Sequence, residues 1–228
     1  MKKILSFAAT ALMLISLSGC HKVTTEGLTR ITYYPVITLE GDSYMIVDKG
    51  STFVDPGYSA TLNGEDVTAS VTVKSNVNTA VSGVYSISYS AVNEDGFSAS
   101  SYRTVVVLDA NDPVEGFYLT DSSCNRNGTA YGAQYEILII GEGDGVYCIE
   151  DGLAGWYWLR AGYGASYKME TYVSVAEDGT VSLEDSYIPG WGDGLDSLEG
   201  EYDFGSSTLT YSTVYAGTLK FNVVLVKE

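Results

Sequence analysis

Histidine is almost absent from this sequence, since His21 is the only one among 228 residues. Nucleophilic catalysis usually depends on a histidine as the base, and His21 stands in a polar segment close to the N-terminus. Ser-His-Asp and Cys-His sites are therefore excluded. Zinc sites built from histidines and cysteines are excluded as well, because only three cysteines accompany that histidine. Glycine motifs that bind phosphates or dinucleotides are also missing. We expect no catalytic site, no metal and no cofactor.

Basic residues are scarce too: 12 Lys and Arg stand against 29 Asp and Glu, giving a formal charge of −17. Such a surface repels nucleic acid and anionic membranes, so nucleic acid is excluded as a partner. Paired carboxylates are the one catalytic option left, because glycosidases use two acids. Pairs arise by coincidence among so many acids, and no glycosidase signature accompanies them. Glycan hydrolysis is the least favoured alternative.

Long apolar runs are confined to the start of the chain. Lys2 and Lys3 precede an apolar run from Ile4 to Leu17, which is the pattern of a secretory signal peptide. The run is shorter than the about 20 residues that a membrane-spanning helix needs. The tetrapeptide Leu17-Ser18-Gly19-Cys20 resembles the bacterial lipobox. That resemblance implies a signal peptide over residues 1–19 and a lipid anchor at Cys20. It implies a location in the cell envelope, on the outer membrane, with exposure at the cell surface left open.

Two cysteines, Cys124 and Cys148, remain beyond the lipidated one. The compartment outside the inner membrane permits disulfides. A Cys124–Cys148 bridge and a pair of free thiols are both compatible with the sequence.

Short alternating segments follow a polar tether over residues 20–34. Tyr85, Ile87, Tyr89 and Ala91 alternate with serines, and Asp55-Pro56-Gly57 is typical of a turn. Regularly spaced strands of this kind predict a β-sandwich over residues 35–110. The stretch from Val47 to Asp109 contains DPG, D-V-T-x-x-V, G-x-Y-x-I-x-Y and R-x-V-x-V strings. It resembles the bacterial immunoglobulin-like (Ig-like) domain related to the hyalin repeat. The resemblance implies a spacer or adhesive module without catalytic residues.

A second β-rich region covers residues 114–228 after a short linker containing Pro113. Leu219, Phe221, Val223 and Leu225 share one face of a strand, and the AEDGT sequence predicts a hairpin. The strands suggest an antiparallel meander that closes into a barrel or a flattened sandwich, and we predict a β-barrel-like (lipocalin-like) domain, which makes the whole chain all-β. The GDGVY, GWYW, YGASY and GWGD strings resemble the C-terminal domain that follows Ig-like domains in Bacteroidetes lipoproteins.

The stretch GLAGWYWLRAGYGASYK, Gly152 to Lys168, concentrates aromatic residues, and the loop YIPGWGDG adds another tryptophan. In a strand, Trp156 and Trp158 face one side and Tyr157 the other. The rings either fill the core or stack on the apolar face of a sugar. The candidate ligand-binding residues are Trp156, Trp158, Tyr163, Tyr167 and Trp191.

Three acids, Asp193, Asp196 and Glu199, stand close together in one loop. Their spacing does not match an EF-hand, and a solvated acidic loop is favoured over a calcium site. The function most consistent with the sequence is a non-catalytic binding or accessory role in polysaccharide capture. The alternative is a structural or adhesive envelope protein that recognises another protein and has no glycan site.

Overall fold

The computed structural model describes residues 31–228. The signal peptide and the lipidation site Cys20 lie outside these residues. The described chain is all-β, as predicted, with an Ig-like region followed by a closed antiparallel barrel. Within it, no helix combines the length and apolar character that crossing a bilayer requires.

Seven strands form the Ig-like region: β1 (Val36–Leu39), β2 (Tyr44–Asp48), β3 (Tyr58–Leu62), β4 (Glu65–Asp66), β5 (Thr72–Ser75), β6 (Gly83–Val92) and β7 (Ser98–Leu108). One sheet has the order β1-β3-β4 and the other the order β2-β7-β6-β5. Only β2 and β7 pair in parallel; the other neighbours are antiparallel. A short 3₁₀-helix, Thr68–Ser70, precedes β5.

The core of the sandwich follows the predicted alternation. Ile87 and Tyr89 of β6 are buried together with Val105 and Val107 of β7, while the serines between the β6 residues lie on the other face. The last residues of the predicted tether contact the sandwich. Asn93 Nδ2 donates a hydrogen bond to the Tyr33 carbonyl at 2.7 Å, so the chain already contacts the domain there.

A fully buried arginine, Arg103, joins two of the motifs seen in the sequence. Its Nε lies 3.2 Å from the Asp55 carboxylate of the DPG turn. Its Nη2 donates to the carbonyls of Glu40 at 2.7 Å and Gly57 at 3.0 Å. The Tyr89 hydroxyl donates to the same Asp55 carboxylate at 2.7 Å. A buried charge is tolerated only when it is paired and hydrogen-bonded, so Arg103 ties the turn to β7.

Ten further strands form the C-terminal sheet: β8 (Gly116–Thr120), β9 (Asn125–Arg126), β10 (Thr129–Ala130), β11 (Glu136–Gly143), β12 (Val146–Ile149), β13 (Glu170–Val175), β14 (Thr180–Tyr187), β15 (Ser197–Asp203), β16 (Thr208–Tyr215) and β17 (Leu219–Lys227). Eight of them, β8 and β11 to β17, close into a barrel because β17 pairs with β8. The short hairpin β9–β10 extends from β17.

Side chains fill the barrel, and the two ends are closed differently. Phe221, Val223 and Leu225 point inward as predicted. At one end, Tyr202 donates its O–H to the Pro113 carbonyl at 2.5 Å, and Tyr118 donates to the Val114 carbonyl at 2.6 Å. The linker between the domains is thus fastened to this end. The strand register places Tyr215, the last residue of β16, at the opposite end.

The two cysteines are free thiols. Cys124 is buried, and its Sγ donates to the Val224 carbonyl at 3.3 Å. Cys148 lies on the outer side of β12, because its neighbours Tyr147 and Ile149 face the barrel interior. The two sulfurs lie on different sides of the barrel wall, so the disulfide that the sequence left open does not form. Burial raises the pKa of Cys148 to about 12, which keeps this thiol protonated.

Candidate functional site

Five aromatic rings meet at the barrel end remote from the linker, and we call them the aromatic rim: Tyr157, Tyr163, Tyr167, Trp191 and Tyr215. Three come from the segment between β12 and β13, which includes a π-helix (Trp156–Arg160) and a 3₁₀-helix (Ala165–Tyr167). Trp191 comes from the loop after β14, and Tyr215 ends β16. Residues distant in sequence therefore form one continuous aromatic surface.

The strand that the sequence suggested for residues 156–158 is a π-helix instead. Ala154 and Gly155 have φ values of 49° and 84°, in the left-handed region, which ends any strand before Trp156. Backbone N–H groups of Arg160 and Ala161 then bond to carbonyls five residues earlier, at 2.9 and 3.0 Å. Consecutive side chains consequently point in different directions rather than to alternating faces. Single-turn π-helices are frequent at functional sites.

Trp156 belongs to the core and not to the site, which corrects its place among the candidates. Its side chain is 3% exposed. It lies 5.0 Å from the Tyr131 ring and 6.0 Å from the Phe221 ring, both measured between centroids. The Arg160 guanidinium lies 4.0 Å from the Trp156 ring centroid. A ligand cannot reach this ring without opening the barrel end.

Trp158 is half-buried and takes no part in the ring contacts that define the aromatic rim. The Lys168 ammonium is 3.8 Å from its ring centroid, and the same ammonium forms an ion pair with Glu150. This cation–π contact covers one face of the Trp158 ring. The predicted pairing of Trp158 with Trp156 on one face is therefore wrong.

Trp191 is the centre of the aromatic rim. Its ring centroid lies 4.7 Å from that of Tyr157 and 4.8 Å from that of Tyr167, in both cases edge to face. The ring of Tyr215 is stacked at 6.0 Å. Trp191 is nevertheless 43% exposed, and Tyr163 is 55% exposed. These two rings are the most exposed parts of the aromatic rim, and Tyr167 beside them is half-buried.

Glycine beside Trp191 is required by packing. A Cβ on Gly190 would lie 2.5 Å from Cε1 of Tyr167. The backbone also approaches closely, because Gly190 N–H donates to the Ser166 carbonyl at 2.7 Å. The Gly-Trp pair thus brings the loop against the 3₁₀-helix that supplies Tyr167.

The acids of the Trp191 loop accept hydrogen bonds. Tyr215 donates its O–H to Asp193 Oδ1 at 2.9 Å, and burial together with this carboxylate raises the pKa of Tyr215. Asp196 Oδ2 accepts the Gly217 N–H at 2.7 Å. Within residues 31–228 no group of three or more metal-binding side chains is arranged around one point. The carboxylates hold the loop to β16 and to the turn after it.

Asp151, a positioning residue that the sequence pattern did not indicate, is completely buried and holds the turn before the π-helix. Its carboxylate accepts the N–H groups of Leu153 at 3.0 Å, Gly155 at 2.9 Å and Met169 at 3.1 Å. An Asp that bonds to the backbone two residues onward is typical of a turn, so the DGLAG string did contain a signal. Burial is the dominant influence and raises the pKa of Asp151 to about 6.

Asp151 makes stability depend on pH. The folded pKa of Asp151, about 6, lies above the unfolded value of about 3.9. Protonated Asp151 therefore contributes its full stabilisation of the fold below the unfolded pKa. That contribution is lost as the pH rises through 6. We expect wild type to lose about 1–2 kcal/mol relative to Asp151→Asn between pH 5 and pH 7.5. Urea unfolding of both proteins at both pH values measures this difference, in which the other acids cancel. If wild type instead gains stability relative to Asp151→Asn as the pH rises, the assignment is wrong.

A cavity of about 410 Å³ lies elsewhere, between Val84 of the Ig-like region and the outer wall of the barrel. Leu138 and Tyr172 line the barrel side. The polar groups in it are largely engaged: Glu150 pairs with Lys168, and Tyr172 donates its O–H to Glu170 at 3.0 Å. The exposed rings of the aromatic rim are therefore the stronger candidate for ligand contact.

Comparison with known families agrees with this architecture. Residues 37–107 match the family described as "Bacterial surface protein, Ig-like domain", and residues 108–227 match a family described as a C-terminal domain. The crystal structure of the lipoprotein BT2262 from Bacteroides thetaiotaomicron is 37% identical. It covers 85% of this chain and 100% of its own, with a TM-score of 0.71. The chain belongs to this family of two-domain bacterial surface lipoproteins, which confirms both resemblances seen in the sequence.

Two other solved structures come from Clostridium perfringens ZmpB, and both include carbohydrate-binding module domains named CBM51. One contains the M60 catalytic domain with CBM51-1 and CBM51-2; it is 16% identical, covers 81% of this chain and 15% of its own, and has a TM-score of 0.29. The other contains CBM51-2 in complex with GlcNAc; it is 19% identical, covers 78% and 29%, and has a TM-score of 0.27. With TM-scores below 0.3, these two structures support no conclusion about the fold or function of this chain. A search of curated proteins finds no match.

Proposed function

We propose that this protein is a non-catalytic glycan-binding lipoprotein, anchored to the outer membrane through Cys20, that serves polysaccharide capture through its aromatic rim. The observation that carries the proposal is the exposure of Trp191 and Tyr163, two large rings held at the end of a filled barrel. Burying such rings would stabilise the fold. Their exposure on well-packed loops is more easily explained by a ligand than by packing.

Anchoring is supported by the lipobox at Leu17-Ser18-Gly19-Cys20 and by membership in a family whose relative BT2262 is a lipoprotein. Several acyl chains together hold a protein stably on a membrane, whereas one does not. The Ig-like region then acts as the spacer between the lipid and the barrel. The aromatic rim, at the barrel end remote from the linker, is turned away from the point where the spacer attaches.

Recognition of another envelope protein is the second candidate. It is favoured by three exposed apolar side chains on one face of the β2-β7-β6-β5 sheet: Tyr44, Ile46 and Tyr102. Clustered apolar side chains at a surface mark interaction sites. Co-purification of a partner from envelope extracts, lost on Ile46→Asp but retained on Tyr163→Ala, would favour this function.

Affinity electrophoresis in gels containing plant, host or microbial polysaccharides tests the glycan proposal. The protein is the chain from Lys22 to Glu228, which keeps both described domains whole. We expect at least one polysaccharide to retard wild type, and Tyr163→Ala to remove about 1–2 kcal/mol of binding, or about five- to thirtyfold in affinity.

The matched control is Tyr102→Ala, which removes a similarly exposed tyrosine from the Ig-like region. It should leave the retardation unchanged. Equal effects of the two substitutions, or no retardation of wild type by any polysaccharide, would refute glycan binding by the aromatic rim.

A further inference from the structure

We propose that the aromatic rim is a corner that holds a single ring of an uncharged, soluble glycan, and not a platform for the surface of an insoluble or anionic polymer. This inference rests on the proposed function and specifies its ligand class. Three features of the structure support it: the angle between the exposed rings, their packing, and the charges around them.

The two exposed rings are perpendicular. Tyr163 and Trp191 have centroids 6.2 Å apart and an interplanar angle of 86°. The ring of Tyr167, which contacts both, is also tilted, by 70° to Tyr163 and 68° to Trp191. A long flat chain needs exposed rings that lie in one plane. Two perpendicular rings instead receive one sugar, whose C–H face stacks on one ring and whose edge contacts the other.

The corner is formed before any ligand arrives. Tyr157 supports both walls: its ring is stacked on Tyr163 at 6.0 Å and packed edge to face on Trp191 at 4.7 Å. Tyr157 is itself fixed, because its side chain is buried in the barrel core. The corner has no room to flatten, since the backbone of Gly190 already lies against the Tyr167 ring. Preformed sites avoid the ordering cost of binding.

The charges near the corner disfavour acidic sugars. Asp193 lies two residues after Trp191, and the chain carries a formal charge of −17. The basic side chains of the neighbouring segments are already engaged. Arg126 donates to the Tyr157 hydroxyl at 3.3 Å from the core side, Arg160 lies 4.0 Å from the Trp156 centroid, and Lys168 pairs with Glu150. Recognition of a carboxylate or sulfate needs a cationic partner, so an uncharged sugar is the better ligand.

A single-ring corner makes a quantitative forecast about chain length. Sugars beyond the ring in the corner extend past the aromatic surface and add little contact. For a soluble neutral series such as the cello-, malto- or manno-oligosaccharides, affinity should rise less than about threefold from three to six units. A linear aromatic platform would instead gain with each ring it covers.

The test is isothermal titration of the Lys22–Glu228 chain with three neutral series of two to six units: cello-, malto- and manno-oligosaccharides. Pull-down on crystalline cellulose and on chitin, and titration with polygalacturonate and chondroitin sulfate, are done alongside at low salt. We expect at least one neutral series to bind with an affinity that changes little with chain length. The protein should not be retained on crystalline cellulose or chitin. Its affinity for the anionic polymers should be lower than for the neutral series by at least about tenfold. Tyr163→Ala, which removes one wall of the corner, should lower the affinity for the neutral ligand and leave the circular dichroism spectrum unchanged.

The outcomes separate the two claims. If none of the neutral, solid or anionic glycans binds, the proposed function fails. If glycans bind but affinity climbs steadily with chain length, or crystalline cellulose or an anionic polymer is preferred, the protein is a glycan binder and the corner assignment is wrong. Binding that is unaffected by Tyr163→Ala also overturns the assignment, because the ligand then lies elsewhere.

Discussion

Replacement of Arg103 by alanine is expected to lower the free energy of unfolding of the Ig-like region by about 3–5 kcal/mol. Removing one partner of a buried ion pair leaves the other uncompensated, here Asp55, which lies 3.2 Å from Arg103 Nε. The carbonyls of Glu40 and Gly57 lose their donor as well. Few single substitutions in a domain of this size have a larger effect.

The experiment uses the distribution of tryptophan in the chain. All three tryptophans, Trp156, Trp158 and Trp191, lie in the C-terminal barrel, so their fluorescence reports barrel unfolding, while far-ultraviolet circular dichroism reports both domains. In urea, Arg103→Ala should move the circular dichroism transition of the Ig-like region to lower concentration and leave the tryptophan transition in place.

A matched control is available in the same domain. Lys49 forms an exposed ion pair with Asp109 at 3.4 Å, and exposed pairs contribute about 0–1 kcal/mol. Lys49→Ala should therefore shift unfolding only slightly. If Arg103→Ala and Lys49→Ala have equal, small effects, Arg103 is not the residue that ties the DPG turn to the sheet.

Replacement of Trp191 by alanine is expected to weaken glycan binding by about 2 kcal/mol or more, which is about thirtyfold. Trp191 contacts four tyrosines and retains an exposed surface, so it both forms one wall of the corner and holds the others in place. Some loss of stability, about 1–2 kcal/mol, should accompany the change because edge-to-face contacts are removed. Titration calorimetry well below the unfolding temperature separates the two effects.

Trp158→Ala is the control for this prediction. It removes a tryptophan of the same segment that lies against Lys168 and outside the aromatic rim. Its affinity for the glycan should stay within about threefold of wild type. Comparable losses in Trp158→Ala and Trp191→Ala would mean that the ligand binds on the Lys168 side instead.

The fold was largely readable from the sequence because it depends on local alternation. In β6 and β17, buried and exposed residues alternate as the pattern predicts, and glycine turns mark the hairpins. Strands that each bury one face fit a barrel or a flattened sandwich, and the pairing of β17 with β8 shows that the sheet closes into a barrel. The strong Ig-like motifs reflect a physical contact, since Arg103 of R-x-V-x-V meets Asp55 of DPG.

The site was readable only in part, because it depends on contacts between distant residues. The sequence marked Tyr163, Tyr167 and Trp191, whose Gly-rich surroundings indicate loops. It did not reveal that the backbone turns at Ala154 and that Asp151 holds this turn from within the core. That turn produces a π-helix, which buries Trp156 and separates Trp158 from the aromatic rim. Tyr157 and Tyr215 were missed because nothing local distinguishes them from other core tyrosines.

The most direct test of the account is acrylamide quenching of Trp191 in a Trp158→Phe variant. The remaining tryptophan, Trp156, is buried, so quenching in this variant reports Trp191 alone. We expect clear quenching of the free protein and a strong reduction of the quenching constant when the variant is saturated with the neutral oligosaccharide that binds best. If the quenching constant stays the same at saturation, or if no glycan saturates the protein, Trp191 does not contact a sugar and the aromatic rim is not a glycan site.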